Sequence, residues 1–245
     1  MSENHELEKA VRAALEAEPA VNVHRTPIEV KAEASLVTLS GQVENIAAKR
    51  KAVLVTAAIP GVREVLDRLG VEPAEEMGED EVLQQVRDAL LQESALDNHK
   101  LVTVNRKAET RVERDPVDAV GEIMLRVEGP GRRVVLGGSA NSLSHRRLAG
   151  LLAWWVAGST DVVNDLAVQP AEEDNDGEIL DAVEMALEKD HAVDTSDITL
   201  GCKDAVVTLS GGIPSGRQKF LAESDAWYID GVRGVINELV PVDPA

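Results

Sequence analysis

The chain has a single cysteine, five aromatic residues and no long apolar run among its 245 residues. One thiol, Cys202, excludes an intramolecular disulfide framework and suits a reducing compartment. Aromatics make up only 2% of the chain, so a core must be built from Val, Leu, Ile and Ala. No segment approaches the roughly 18 consecutive apolar residues that a membrane-spanning helix needs. Basic surface is also lacking. The net charge is −19, and residues 172–245 alone carry 17 Asp+Glu against 5 Lys+Arg. No part of the chain has the basic excess that displaces counterions from nucleic acid, and the same acidity opposes adsorption to anionic lipid. The first residues, Met1-Ser2-Glu3-Asn4-His5-Glu6, carry acid where a signal peptide carries positive charge. The expectation is a soluble cytoplasmic protein, or a periplasmic one if a leader had been removed.

What the chain does have is a repeat. Val37-Thr38-Leu39-Ser40-Gly41 returns as Val134-Val135-Leu136-Gly137-Gly138 and as Val207-Thr208-Leu209-Ser210-Gly211. Gly41 to Gly61, Gly138 to Gly158 and Gly211 to Gly231 each span 20 residues. A fixed period between structurally demanding residues marks repeated modules. These glycines are expected to turn the chain into and out of a helix, where a Cβ would hinder the backbone.

Each repeat opens with an amphipathic helix pattern: Leu7, Val11, Ala14 and Leu15, then Val82, Val86, Ala89 and Leu90, then Ile179, Val183, Ala186 and Leu187. A hairpin of alternating β-branched residues follows. A second helix is expected over 47–59, 143–156 and 218–229, then a third strand. The order predicts an α+β fold of three tandem two-layer sandwich modules, each helix–strand–strand–helix–strand. Val71-Glu72-Pro73-Ala74-Glu75-Glu76 matches Val168-Gln169-Pro170-Ala171-Glu172-Glu173, which places modules at 1–75, 76–171 and 172–245. The middle repeat carries an insertion around 99–121. A strand at 101–104 and a hairpin across Gly129-Pro130-Gly131 leave open whether it has an extra strand or a displaced first one.

These residues resemble the BON domain, a small bacterial module named for osmotic-stress and nodulation proteins. Val37–Gly41 with Pro60-Gly61-Val62, and Val207–Gly211 with Gly231-Val232, carry the likeness, and three copies cover nearly the whole chain. The middle copy departs at Gly137 and Ser159. The resemblance implies phospholipid or membrane-periphery binding under envelope or osmotic stress, and no common catalytic residues. A soluble protein–protein interaction scaffold is the alternative, favoured by the acidity.

Candidate contact residues lie on the second helices. Trp154 and Trp227 both fall 16 residues after the repeat glycine, with Trp155, Tyr228 and Phe220 nearby. They are either a rim that inserts at a headgroup interface or rings that pack helix on sheet and module on module. Since adjacent rings cannot both face inward, one of Trp154 and Trp155 must point outward or into an inter-module contact. Lys49, Arg146 and Lys219 recur eight residues after the glycine, as lipid-phosphate contacts or as a solvated helix face. No metal or cofactor site is expected. Glu172, Asp174, Asp176 and Gly177 begin like a calcium loop, but Val183 stands where a bidentate Glu is required. Histidines show no ligand spacing, and Cys202 and the Ser-Gly pairs lack a nucleophile's context.

Overall fold

Each hairpin strand pattern and each apolar helical face settles into the same small sandwich in the computed structural model, which describes residues 3–129 and 132–242. Pro130 and Gly131 of the expected middle turn lie outside the described residues, as do Met1, Ser2 and the final Asp243-Pro244-Ala245. The first module runs α1 (Glu3–Ala17), β1 (Ile28–Glu33), β2 (Leu36–Val43), α2 (Ile46–Ala57) and β3 (Glu64–Val71). The sheet order is β1-β2-β3, antiparallel in the hairpin and parallel across α2. Val11, Leu15, Val30, Val37, Leu39, Ala52 and Leu69 form its core. At about 0.8 kcal/mol per buried methylene, this aliphatic set supplies the stability that aromatics supply elsewhere.

The middle module adds α3 (Glu79–Gln92), β4 (His99–Val104), β5 (Thr110–Arg114), β6 (Gly121–Glu128), β7 (Arg133–Ala140), α4 (Leu143–Trp155), β8 (Asp161–Asn164) and β9 (Ala167–Val168). The inserted residues form two extra strands, not a displaced first one. Pairing Ile123 with Gly138 makes β6 the counterpart of β1, which pairs Ile28 with Gly41. Strand β4 then lies parallel to β6 on the side away from β7, and β5 closes the row as β5-β4-β6-β7-β8. The third module, α5 (Asp176–Lys189), β10 (Ile198–Lys203), β11 (Val206–Ile213), α6 (Gly216–Tyr228) and β12 (Gly234–Pro241), repeats the first. Residues 3–72 make one unit, and residues 73–242 make another that holds both later modules.

The repeat glycines do not all play the same part. Gly41, Gly138 and Gly211 lie inside β2, β7 and β11, so they do not turn the chain into the helix as their position suggested. All three have left-handed φ, between +105° and +129°. A Cβ on Gly41, Gly138 or Gly211 would strike the carbonyl oxygen of Pro27, Glu122 or Asp197, the residue just before the paired one on the partner strand. Gly61 and Gly231 do take the chain out of the second helix, with φ near +100°. Gly158 does not share that conformation and is small because Met77 and Val82 press on it.

Candidate functional site

The second helices start alike. Asn45, Ser142 and Ser215, each four residues after the repeat glycine, accept a backbone N–H three residues on and cap α2, α4 and α6. The recurrent basic residue follows one turn later, and it is not on a solvated face. Lys49 is 3% exposed; its ammonium donates to the Leu69 carbonyl and pairs with Asp67 at 2.8 Å. Lys219 donates to the Leu239 carbonyl at 2.7 Å. Arg146 donates to the Asn164 carbonyl at 3.2 Å and pairs with Asp230.

Those carbonyls lie on the third strand of each module, Leu69 and Leu239 at the same repeat position and Asn164 two residues earlier. Glu72 N–H bonds to Val43 O, so alternate residues of β3 face β2, and Leu69 faces away toward the open edge. Asp67, Asn164 and Asn237 occupy the outer N–H groups there, accepting from Leu69, Leu166 and Leu239. Asn164 and Asn237 also donate to the carbonyls of Arg146 and Lys219. Cation and Asx residue together close the free edge of the third strand, a defence against edge-to-edge pairing. This geometry answers why a basic residue recurs at a fixed offset.

The aromatic candidates come together, but inside unit 73–242. Trp154 and Trp227 are buried, at 7% and 1% exposure. Trp154 stacks on Tyr228 with ring centroids 5.3 Å apart, joining α4 to α6. Trp155 is half-buried against the middle core and donates its Nε1–H to Asp225 at 3.0 Å. Arg147, 2% exposed, donates to the Asp230 and Glu178 carbonyls and forks onto Asp174 at 2.7 Å. The seven candidates therefore do not form one exposed surface. Phe220 alone of the aromatics is exposed.

Two buried polar groups were not singled out from sequence. Burial pushes the Asp225 carboxyl up to about 8, with Asp190 reinforcing and the Trp155 N–H opposing. Its signal was available: Asp225 stands 14 residues after Gly211, where the other repeats have Val55 and Leu152. His99 is fully buried, and its ring lies 5.2 Å from that of His145. Burial, His145 and Arg114 hold its pKa below the usual value. In the supposed calcium stretch, Asn175 caps α5, Asp174 holds Arg147 and Asp176 accepts from Asp204 and Ala205 N–H. Burial and Asp176 raise the Cys202 thiol, which is the opposite of an activated nucleophile. Among the described residues, no three His, Cys, Asp or Glu converge as metal ligands, and no helix is long and apolar enough to cross a membrane.

A profile of the BON domain matches residues 4–73, 102–170 and 175–241. No curated protein sequence matches the chain. Among solved structures, the C-terminal domain of CdsD, a structural protein of the type III secretion system of Chlamydia trachomatis, is 13% identical. That alignment covers 98% of this chain and all of that one, with a TM-score of 0.25. A second CdsD structure is 14% identical over 97% and 93% of the two chains, with a TM-score of 0.23. The PrgH periplasmic domain is 13% identical, over 95% and 100%, with a TM-score of 0.22. At these scores the likeness carries no inference about this chain.

Proposed function

We propose, from the premise that this chain belongs to the BON domain family as three tandem modules, that it is a non-enzymatic scaffold for protein partners. BON domains are non-catalytic and are associated with membrane or phospholipid binding and envelope stress. The carrying observation is the commitment of the aromatic and basic residues to internal structure. Lys49, Trp154 and Trp227 are buried, and Arg146 and Lys219 are tied to third-strand carbonyls. An aromatic–basic rim for headgroups would need those same side chains exposed. The overall charge of −19 adds repulsion from anionic bilayers.

One observation favours the lipid reading instead. Ile236, Val240 and Val242 are 47%, 61% and 52% exposed along β12 and its extension, and alternate residues of a strand share a face. Co-sedimentation with vesicles of phosphatidylcholine, with and without phosphatidylglycerol, at low salt separates the two. The scaffold reading expects the protein in the supernatant with both. Pelleting that Ile236→Ser with Val240→Ser abolishes would establish peripheral lipid binding in its place.

A further inference from the structure

We propose that the outer edge of β10 is a docking site for an extended peptide of a partner protein, which adds as a parallel strand with a basic residue opposite Asp197. The inference deepens the scaffold reading and rests on it.

The middle module already contains the complex. There β4 lies parallel to β6, with Leu101 beside Ile123 and Thr103 beside Leu125. Leu101 fills the space between that sheet and α3, fully buried with Val82, Val86 and Leu90. Lys100 pairs with Glu122 across the two strands at 2.9 Å. By the shared register to the repeat glycine, Ile123 corresponds to Ile198, Leu125 to Leu200 and Glu122 to Asp197. In the third module no strand among the described residues pairs with β10 in the place of β4, and β10 is the edge of its sheet.

The first module has the same edge and closes it. Arg12 donates to the Val30 carbonyl at 3.1 Å, Glu8 accepts from Ala32 N–H at 3.0 Å, and Asn4 accepts from Ala34 N–H. Aligning Val11 with Val183 places Leu180 at the position of Glu8 and Glu184 at that of Arg12. Only the Asn4 role survives, taken by Asp176 at the turn. A leucine cannot accept from an amide, and a carboxylate cannot donate to a carbonyl. The Leu200 carbonyl and the Cys202 N–H, the counterparts of the capped groups, are thus left for an incoming strand. Burial follows the same division: Val30 is 1% exposed, whereas Leu200 is half-buried.

A groove of about 390 Å³ runs along this edge between α5 and β10, lined by Leu180, Leu187, Ile198 and Leu200 with Glu184 and Glu188 at its rim. The groove specifies its occupant. Backbone groups supply the ladder, alternate apolar residues enter between helix and sheet, and a Lys or Arg next to them in sequence meets Asp197 on the opposite face of the sheet. Such a segment resembles β4 itself, His99-Lys100-Leu101-Val102-Thr103-Val104.

A fluorescent peptide copying residues 98–105 provides the probe, titrated into the full chain while amide exchange at Leu200 and Cys202 is followed. Saturable binding with slowed exchange at Cys202 is expected. Leu180→Glu combined with Glu184→Arg rebuilds the Glu8–Arg12 closure and should weaken binding at least tenfold without lowering the unfolding midpoint. Lys→Glu in the peptide should weaken it as well. Absence of saturable binding at 1 mM peptide, or equal binding by the double variant, overturns the docking site. Vesicle pelleting that the double variant leaves unchanged would instead remove the scaffold reading, so the two failures are distinguishable.

Discussion

Trp155 on α4 and Asp225 on α6 are joined by a hydrogen bond of 3.0 Å that bridges the second and third modules. It lies beside the Trp154–Tyr228 stack and the buried Arg147, whose donors reach the segments flanking α5 and α6. Helix α4 thereby serves as the common wall of two cores. The side chains that looked most like a binding rim are the ones that fuse the modules.

The Asp225 carboxyl carries a pH dependence of known sign. Burial raises it from 3.8 to about 8 in the fold, so the folded state holds the proton more tightly than the unfolded chain. Its stabilising contribution is complete below about pH 4 and is lost as pH rises toward 8, by about 1.4 kcal/mol per unit. Asp225→Asn keeps an oxygen for the Trp155 N–H and removes the ionisation. Urea unfolding should show the variant equal to the parent at pH 4 and increasingly more stable than it as pH rises, by on the order of 5 kcal/mol at pH 8. Parallel stability curves would refute the assignment.

The periodicity of Leu7/Val11/Leu15, the alternating strands and the 20-residue glycine spacing made the three sandwiches legible, because backbone period and core burial act locally. Two things were not legible. The middle insertion had strand-forming residues at 101–104, but only pairing with β6 distinguishes an added strand from a displaced one, and that pairing is non-local. Lys49, Arg146 and Lys219 were legible as a recurring set, yet their targets are backbone carbonyls 18 to 20 residues downstream. Carbonyls have no sequence identity, so a surface cation and an edge-closing one look the same until the sheet is built. Asp225 and Leu180 could have been found by comparing each repeat with the others and asking where charge and apolarity exchange.

Edge closure predicts a double effect for Lys49→Met. Removing the ammonium leaves the Leu69 carbonyl and Asp67 without their partner, at a cost of about 2–3 kcal/mol. The freed edge of β3 should then pair with another copy. Light scattering behind size-exclusion chromatography should report mass rising with concentration in the variant and constant mass in the parent. A destabilised protein whose mass does not change with concentration would confine Lys49 to packing.

Gly211→Ala tests the strand glycine against a neighbouring control. At φ +117°, with the Asp197 carbonyl in the way of a Cβ, alanine must shift both strands. The expected cost is about 2–3 kcal/mol, the scale of a forced backbone strain. Gly201, ten residues earlier on the paired strand, has open space where its Cβ would go. Its alanine variant should stay within about 0.5 kcal/mol of the parent. Equal midpoints for the two variants in thermal unfolding would contradict the close-approach account.

His99 sets an acid limit for the middle module. The ring is fully buried beside His145, Asn141 and the inserted β5, whose Arg114 guanidinium holds the His99 carbonyl at 3.0 Å. Burial first, then the charges of His145 and Arg114, depress its pKa below 6.5. The folded state therefore binds the proton less readily than the unfolded chain. The contribution is fully present above about pH 6.5 and is lost as pH falls toward the folded value. His99→Gln removes that titration while keeping a polar side chain in the same space. The parent should lose stability more steeply than the variant between pH 6.5 and 5, while their slopes agree above pH 7. His145→Gln in the parent separates the two rings, because without that repelling charge folded His99 takes its proton more readily, so the acid loss should become smaller and end at a higher pH. Coincident acid limbs for all three proteins would place the titration elsewhere in the chain.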